Sequence, residues 1–327
     1  GAYFFRHFAN GKRSVDAIPS IVSGMPALFE TPISYSSFQS NHTVSLASEL
    51  KGLGYQTSFY HGGKRGTMEF DSYCTSIGFE TYKGLEDYPD QSHFDGHWGI
   101  SDHYYFDYYV DELSKHKKPF FSSLFTLSSH QPYAIPKNLK SKFPKGELDI
   151  HQSIGYADYS LKVFFEKASK QDWYENTLFV ITADHTQKLR TKNYKGLLGR
   201  FRVPLLFYHP RMDLSEMVDQ NKVTQHIDIL PSVYDFLGHK PNEFLKLGES
   251  IFLSGSGKAI IRSGAGRYLI SPPFVVMVND NKSYSYSIDE GLFSLSHSQA
   301  PQEELLKKLQ AMLQYYTNGM MRNGIYK

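Results

Sequence analysis

The sequence predicts an α/β fold with a mainly parallel sheet, followed by a small antiparallel sheet and a last helix. Apolar strand-like runs alternate with helical patterns up to about residue 255, which is typical of a parallel sheet flanked by helices. The run from Leu178 to Ile181 is apolar without alternation, as in strands buried on both faces. Beyond residue 255 short β-rich runs separated by turn residues indicate antiparallel pairing.

The elements of the core follow in chain order. "TVSLASELKGLG" predicts a helix and the following "GYQTSFYHGG" a strand, and "PFFSSLFTLSSHQPY" predicts another strand. Between Ile154 and Ala168 apolar residues recur at steps of three and four, which predicts an amphipathic helix lying on the sheet with Ile154 on its apolar face. "RVPLLFYHP" predicts a further strand, and "HIDILPSVYDFLG" predicts a helix that Gly238 ends.

The C-terminal part has a different pattern. "KAIIRS", "RYLISPPFVVMVND" and "KSYSYSID" predict short strands, and a helix follows Pro301 with Leu305, Leu309 and Tyr316 on one face. We therefore expect a catalytic core over residues 1–255 and an α+β subdomain over residues 256–327. The opening "GAYFFRHFANGKRS" has neither an initiator Met nor a strand and turn leading into it, so we expect a piece of a longer protein whose first strand precedes Gly1.

Composition limits the possible partners and cofactors. The 327 residues are 40% hydrophobic, enough for a substantial core, and 35 Lys and Arg against 33 Asp and Glu give no electrostatic reason to expect a nucleic-acid partner. The single cysteine, Cys74, excludes an internal disulfide and a Cys-rich zinc site. No run of about eighteen apolar residues could span a bilayer.

The segment "FVITADHTQ" places a carboxylate and an imidazole side by side where a buried strand ends. Asp184 and His185 are suitable ligands for a divalent metal, and the carboxyl ends of parallel strands are where ligand sites form. Such a pair also serves as a helix cap or a loop hydrogen bond. Both interpretations stay open at this point.

The segment "NGKRSVDAIPSI" contains a hydroxyl that follows two cations. A metal or a base could activate Ser14 as a nucleophile, and Lys12 and Arg13 could offset the charge of a bound anion. Ser14 is also a good N-cap for a helix that begins there, and the amide dipoles of that helix would favour a phosphate. A nucleophile and a cap are compatible roles.

Two further histidines follow predicted strands. His61 in "YHGGKRGTMEFD" and His130 in "TLSSHQPY" would suit oxyanion binding or proton transfer, and a parallel sheet would bring them to the same edge as Ser14 and Asp184. Trp98 in "DGHWGISD" could line a pocket. We interpret His226, at a helix start, as structural. Neither Cys74 nor Ser14 is followed by the Pro and Arg needed for conversion to formylglycine, which argues against ordinary sulfatase chemistry.

Taken in order, these segments resemble the extracytoplasmic catalytic domain of the lipoteichoic acid synthase family, within the alkaline phosphatase and sulfatase superfamily. The resemblance runs over most of the chain. It is closest to the branch called sulfatase family proteins, and it implies a three-layer α/β/α core. The ordered set of segments is more specific than any one of them.

The resemblance also implies a set of site residues. Ser14 is the nucleophile, and it holds one divalent metal, manganese or magnesium with zinc as an alternative, together with Asp184, His185 and an acidic residue expected upstream of Gly1. His61 and His130 contact the substrate phosphate. The Trp and Arg that hold glycerol phosphate in the synthases are replaced near Met68 and Phe70, although Lys64 or Arg65 could contact an anion.

The implied function is metal-dependent phospho-group transfer or hydrolysis through a covalent phospho-Ser14, acting on a phosphodiester from a lipid or a cell-envelope glycan. The alternatives are a sulfatase or phosphodiesterase that works without formylglycine, and an inactive domain that binds anions. The resemblance further implies attachment to the cell membrane through an upstream segment, with the catalytic domain outside the cytoplasm.

Overall fold

The computed structural model describes residues 1–241, 243, 245–279, 282–289, 291, 294–298 and 300–326. The chain divides into two compact units, one made of Gly1–Leu46 with Leu178–Lys327 and the other of Ala47–Thr177. These two units do not test the domain boundary expected near residue 255, which stays a prediction. No helix within the described residues is long and apolar enough to cross a membrane.

The helices and strands follow in chain order. They are β1 (Ala2–Phe4), β2 (His7–Phe8), α1 (Ser14–Ser23), α2 (Leu46–Gly52), β3 (Gln56–His61), α3 (Phe70–Ser76), β4 (Thr81–Lys83), α4 (Asp102–Leu113), β5 (Phe120–Phe125), α5 (Lys137–Lys140), α6 (Asp149–Ala168), β6 (Phe179–Thr182), α7 (Lys192–Lys195), β7 (Leu205–Tyr208), β8 (Thr224–Gln225), α8 (Ile229–Phe236), β9 (Ala259–Ser263), β10 (Gly266–Ser271), β11 (Phe274–Asn279), β12 (Lys282–Ile288), β13 (Leu295–His297) and α9 (Glu303–Met321).

The unit 47–177 contains a parallel sheet in the order β4–β3–β5. β3 pairs with β5 from Gln56 opposite Phe120 to His61 opposite Phe125, so the ends of both strands lie at one edge. α4 packs on α6, where the ring centroids of Phe106 and Phe164 are 5.2 Å apart. This sheet agrees with the prediction of parallel strands that deliver side chains to a common edge.

The other unit holds two small sheets near Ser14 and a larger one formed by the C-terminal residues. β2 pairs with β8 in parallel, and β9 to β13 form the antiparallel sheet predicted for residues beyond 255. A core cluster joins the C-terminal sheet to earlier segments, with Phe8, Phe201, Ile261 and Ile270 all fully buried. The N-terminal residues and the C-terminal sheet therefore share one core.

Several element predictions need correction. β6 pairs antiparallel with β7, which pairs antiparallel with β1, so the expectation of parallel pairing for Leu178 to Ile181 is wrong. Most of β6 is only half-buried, because Val180, Ile181 and Thr182 are partly exposed. The opening segment, for which no strand was expected, forms β1 and β2.

The predicted helix at Ile154 to Ala168 is present as α6, and Phe164 and Ala168 of its predicted apolar face are buried, but the start of that face differs from the expectation. Ile154 is 53% exposed, whereas Ser153, Tyr156 and Ser160 are buried. Small serines let α6 approach its neighbour, and the Tyr156 hydroxyl lies 2.6 Å from His103 Nδ1. At its start α6 therefore buries a hydrogen-bonded tyrosine and two serines instead of Ile154, which a pattern of hydrophobicity alone does not predict.

Candidate active site

Ser14 is the first residue of α1, and its hydroxyl turns away from the helix. Arg13 occupies the capping position with an extended backbone, φ −133°, and no side chain caps the helix there. The Arg13 guanidinium instead makes two 3.0 Å hydrogen bonds to the buried carboxylate of Asp16. The interpretation of Ser14 as an N-cap is therefore wrong, and its oxygen is available for chemistry.

The loop before Ser14 is fixed by a buried amide. Asn10 Nδ2 donates to Gln225 Oε1 at 2.9 Å and to the Ile260 carbonyl at 2.7 Å, and Asn10 Oδ1 accepts from the Ile227 amide at 3.0 Å. Gly11 follows because a Cβ there would lie 2.2 Å from Asp16 Cβ. These contacts anchor the start of α1 to β8 and β9.

Asp184 and His185 lie at the end of β6 and meet Ser14 from 170 residues away in sequence. Ser14 Oγ donates to Asp184 Oδ2 at 2.6 Å and lies 3.5 Å from His185 Nε2. His185 Nε2 and Asp184 Oδ2 are 3.2 Å apart. Asp184 Oδ1 accepts the His185 amide at 2.8 Å, so that Oδ2 faces the serine. Three side chains predicted as metal ligands thus converge on one point.

The tautomer of His185 follows from its backbone contact. His185 Nδ1 lies 2.8 Å from the Thr186 carbonyl, and because a carbonyl only accepts, Nδ1 carries the proton. When the ring is neutral, Nε2 offers a lone pair to the same point as Asp184 Oδ2. Two electron-rich atoms at this distance need a proton or a cation between them.

The donor set fits a divalent ion. Carboxylate and hydroxyl oxygens are ligands that magnesium and manganese prefer, and an imidazole nitrogen suits manganese or zinc, so the donor types that meet here would suit such an ion. A carboxylate, an imidazole and a hydroxyl leave further positions for water and phosphate oxygens. Among the described residues no group of three or more His, Cys, Asp or Glu could hold a metal.

A pair of buried histidines lies behind this point. His226 Nε2 donates to the Ala183 carbonyl at 2.9 Å, directly before Asp184, and its ring lies 5.4 Å from that of His7. Burial is the main cause that lowers the pKa of His226 to about 4, so the ring is neutral. This contact agrees with the structural role predicted for His226, because it fixes the backbone directly before Asp184 and His185.

In the unit 47–177, His61 is fully buried at the end of β3. Its Nδ1 lies 3.2 Å from the Tyr82 hydroxyl, while its Nε2 is buried without a hydrogen-bond partner among the described residues. Burial lowers the pKa of His61 to about 4. A Cβ on Gly63 would lie 2.7 Å from His61 Cε1, so the loop after β3 passes too close to the ring for any other residue.

His130 and Trp98 come together in the same unit. Their ring centroids are 4.4 Å apart, edge to face, and Trp98 Nε1 donates to the Gln131 carbonyl. His130 Nδ1 donates to that carbonyl as well, at 2.8 Å. The structure thus pairs two residues that the sequence singled out separately.

The other predicted anion contacts differ in availability. Arg65 is engaged, because its guanidinium pairs with Asp87 at 2.7 Å and donates to the Tyr82 carbonyl at 2.9 Å. Lys64 is exposed. Lys12 places its ammonium 4.7 Å from the centre of the Phe201 ring, next to the loop that carries Ser14.

Comparison with known proteins decides the family. The family model described as Sulfatase matches residues 1–239, which is most of the chain. The chain belongs to the Sulfatase family. The relatives and structural neighbours of the chain include lipoteichoic acid synthases, sulfatases and a phosphonate monoester hydrolase.

Among the relatives of this Sulfatase family chain is lipoteichoic acid synthase 2 of Bacillus subtilis, 24% identical over 290 residues, which cover 83% of this chain and 44% of that protein. The chain spans less than half the length of this relative. The structure is also similar to that of a protein of the alkaline phosphatase superfamily from Vibrio parahaemolyticus, with a TM-score of 0.89 and 22% identity. The match covers 100% of this chain and 80% of the Vibrio chain.

A lipoteichoic acid synthase from Listeria monocytogenes matches with a TM-score of 0.83 at 17% identity, over 99% of this chain and 84% of its own. These likenesses confirm the predicted alkaline-phosphatase-like fold, with its mixed α/β core and small C-terminal antiparallel sheet. The resemblance that the sequence motifs indicated is confirmed as well.

Two buried carboxylates fix loops of this chain, a role that the sequence did not indicate. Asp102 accepts the amides of Leu127 and Ser128 at 2.9 and 3.1 Å and so fixes the loop that leads to His130. Asp228 accepts the amides of Gln225 and Glu249 at 3.0 and 2.9 Å. Nothing in a single sequence distinguishes a buried acceptor of this kind from a surface acid.

Cys74 is buried on α3, and burial is the first cause that raises the pKa of its thiol. The thiolate form needed for reaction is therefore suppressed.

Proposed function

We propose that this chain is a metal-dependent phosphotransferase or hydrolase that cleaves a phosphodiester through a covalent phospho-Ser14. The observation that supports it best is the contact of Ser14 Oγ with Asp184 Oδ2 at 2.6 Å and its approach to His185 Nε2 at 3.5 Å. A hydroxyl that merely capped a helix would not face a carboxylate and an imidazole from a distant strand end. Ser14 is also only 8% exposed, which shields a covalent intermediate from bulk water.

Ser14, Asp184 and His185 are the proposed metal ligands, with manganese or magnesium preferred to zinc because carboxylate and hydroxyl oxygens dominate the set. When bound, a divalent ion would lower the pKa of the serine hydroxyl and offset charge on the phosphate. Asp184 Oδ2 already accepts the Ser14 proton in a hydrogen bond, so it is placed to receive that proton as Ser14 attacks.

In the first step, the bond between Ser14 Oγ and phosphorus forms while the bond from phosphorus to the leaving alcohol breaks. The leaving oxygen takes up a proton from water. In the second step the oxygen of an alcohol or water bonds to phosphorus while the bond from phosphorus to Ser14 Oγ breaks, and Ser14 regains the proton held by Asp184. We propose His61 and His130 as contacts to the non-bridging oxygens. His61, neutral because its pKa is lowered to about 4, would act as a neutral hydrogen-bond partner and not as a cation.

The substrate is proposed to be a phosphorylated or sulfated lipid or glycan. Glycerol phosphate itself has less support, because Phe70, at the place of the expected Arg, is buried and packs its ring 5.4 Å from that of His61. By analogy with the synthases, we also propose that the whole protein is attached to the cell membrane with this part outside the cytoplasm. A sulfatase without formylglycine is the alternative enzyme, and the presence of Ser14, Asp184 and His185 together argues against an inactive anion-binding domain.

The test is turnover of a chromogenic aryl phosphodiester and of the aryl sulfate with the same leaving group, with Mn²⁺ or Mg²⁺ present. Ser14→Ala should abolish turnover, and Ser14→Thr, which keeps a hydroxyl, should retain part of it. Mass spectrometry of the quenched wild-type reaction should find one phosphoryl group on Ser14. Full turnover by Ser14→Ala would disprove the nucleophile, and faster cleavage of the sulfate would favour the sulfatase.

Adding alcohols to the same assay separates transfer from hydrolysis. A transferase should form a new phosphodiester with a polyol at the expense of the hydrolysed product. Constant release of the free phosphomonoester at every polyol concentration would instead assign a hydrolase.

A further inference from the structure

Four basic side chains gather beside the loop that leads to Ser14. Lys12 precedes α1, Arg200 lies beside Phe201, and Arg262 and Arg267 belong to β9 and β10. We call these four residues the basic patch. Among the described residues no carboxylate forms an ion pair with any of them. The three arginines donate hydrogen bonds to backbone carbonyls. Arg200 donates to Lys195, Arg262 to Gly264, and Arg267 to Ala265 and Leu28.

The fold holds the basic patch in place. β9 is the edge strand of the C-terminal sheet, and Asn10 Nδ2 donates to the carbonyl of Ile260 in that strand at 2.7 Å. The loop from Asn10 to Arg13 therefore lies along this edge. Phe201, which carries the Lys12 ammonium 4.7 Å from its ring centre, packs in the same core as Ile261 of β9. Arg267 reaches the Leu28 carbonyl at 3.3 Å.

The arrangement of the two arginines is unfavourable without a ligand. Arg262 and Arg267 are direct partners across the antiparallel pair, and like charges directly opposite each other destabilise a sheet. Burial and then Arg200 and Arg262 lower the pKa of Lys12, which shows that these charges repel one another. The nearby acids relieve little of this, because Asp16 is already paired with Arg13, and Glu30 forms no ion pair with the patch among the described residues.

We propose that the basic patch binds a second anionic group of the substrate, next to the ester that Ser14 attacks. The inference rests on the proposed function and narrows its substrate class to chains or lipids that carry at least two phosphate or sulfate groups. Lys12 stands two residues before Ser14, so their Cα atoms are at most about 7 Å apart, and a long side chain can span the distance to a neighbouring anionic group. Arginine forks suit the planar pairing of oxygens that both kinds of group offer.

The experiment compares three aryl phosphodiesters with the same leaving group. One carries no further charge, one carries a second phosphate on the alcohol, and one carries a sulfate there. For the wild type we expect kcat/KM to be higher for the two substrates with an extra anion, mainly through a lower KM. The better of these two identifies the anionic group that the patch prefers.

The decisive variant is Arg262→Gln with Arg267→Gln. Its preference for the extra anion, expressed as the ratio of kcat/KM values, should fall about tenfold or more, the loss expected from one or two charge-assisted hydrogen bonds. Arg262→Lys with Arg267→Lys keeps the charge and should retain much of the preference. Arg211→Gln, on the exposed turn after β7, removes a positive charge elsewhere in the same unit and should leave the ratio as in the wild type.

A binding measurement separates the patch from catalysis. Inorganic tripolyphosphate should bind to Ser14→Ala protein in a salt-dependent way. Adding Arg262→Gln and Arg267→Gln to that protein should lower its affinity for tripolyphosphate by about tenfold or more. Ser14-dependent turnover with no preference for an extra anion, or a preference that survives in the double variant, would overturn the inference and leave the proposed function intact. Absence of any Ser14-dependent turnover would overturn the proposed function and the substrate class with it.

Discussion

At the scale of single residues, the strand end after β6 concentrates electron-rich atoms. His185 Nε2 and Asp184 Oδ2 lie 3.2 Å apart, with the Ser14 hydroxyl hydrogen-bonded to the carboxylate. The Thr186 carbonyl accepts a hydrogen bond from His185 Nδ1, so His185 Nε2 is the ring nitrogen that faces the carboxylate. A cation bound between these atoms would stabilise the arrangement. Removing the negative charge of Asp184 would weaken the binding of that cation.

Asp184→Asn is therefore expected to lower kcat/KM for the phosphodiester by about 10³-fold, because the amide keeps the shape but neither attracts a cation nor accepts the serine proton. The same change should abolish the rise in melting temperature that Mn²⁺ or Mg²⁺ produces in the wild type, since a ligand that binds only the native state stabilises it. Thermal unfolding with and without the metal measures this second effect independently of turnover.

Asp172→Asn is a suitable control for Asp184→Asn, because it removes a carboxylate from a surface turn after α6. It should keep both the activity and the metal-dependent rise in melting temperature. An Asp184→Asn protein that still gained the same stability from the metal would contradict the proposed ligand set.

Residues adjacent in sequence are the ones whose common direction the strand pattern alone predicts. Asp184 and His185 stand together at the end of an apolar run, so their common direction followed from the strand pattern. Arg200 and Arg262 approach Lys12 only because distant segments fold onto one core, and a single sequence contains no signal for that. The N-cap interpretation of Ser14 failed because local propensity cannot anticipate a carboxylate that arrives from 170 residues away.

At the scale of elements, α1 is a short helix with breaks at both ends. Arg13 begins it without a side-chain cap, and Pro19 lies inside it. Ser20 Oγ donates to the Asp16 carbonyl at 2.7 Å, and Gly24 ends the helix with φ +68° while its amide bonds to the Pro19 carbonyl. The end of the helix that positions Ser14 thus depends on the left-handed backbone conformation of Gly24.

Gly24→Ala is expected to lower the free energy of unfolding by about 1 kcal/mol, because an L side chain is strained at φ +68° although nothing lies within 4 Å of the added Cβ. Gly52→Ala is the matched control, since Gly52 is a helical glycine of α2 that also has nothing within 4 Å and no positive φ. It should be neutral or stabilise by roughly 0.5–1 kcal/mol. Urea unfolding measures both, and equal effects would show that φ at Gly24 is unimportant.

Elements with a strong periodic pattern were predicted well, and their orientation less well. The predicted helices correspond to α2, α6, α8 and α9, and the predicted C-terminal strands to β9 through β12. α6 buries Phe164 and Ala168 of its predicted apolar face, but at its start it exposes Ile154 and buries Tyr156 and two serines. Hydrophobicity scales do not register a buried tyrosine whose hydroxyl has a partner, or a serine chosen for its small size.

At the scale of the whole molecule, strand direction was the property hardest to predict. β3 and β5 are parallel as expected, but β6 and β7 run antiparallel. An apolar run predicts a strand and its burial, while the direction of its neighbour depends on the topology of the connections, which the run itself does not encode. The fold class still followed correctly, because the alternation of helices and strands was clear.

Several buried titratable groups link the stability of the protein to pH. Burial is the main cause that lowers the pKa of His61, His103 and His226 to about 4, and burial lowers that of His7 well below its ordinary value. In the unfolded chain these rings bind protons below about pH 6.5, whereas in the native state they stay neutral until about pH 4. The unfolded state therefore binds more protons in this window, and stability falls as the pH falls through it.

Two aspartates act in the opposite direction. Burial raises the pKa of Asp102 to about 6 and that of Asp228 to about 8, so the native state keeps protons there that the unfolded chain has lost. Below pH 6.5 these two groups offset part of the effect of four histidines. The sum still favours unfolding in acid.

We expect the free energy of unfolding to be a few kcal/mol lower at pH 5 than at pH 7, measured by urea denaturation at constant ionic strength. His61→Gln, which removes one buried imidazole, should make this loss smaller, although it lowers stability at pH 7 by disturbing the contact with Tyr82. His97→Gln, on an exposed turn, serves as the control and should leave the difference between the two pH values unchanged. Equal or greater wild-type stability at pH 5 would mean that the buried rings take up protons in the folded protein, contrary to their environment.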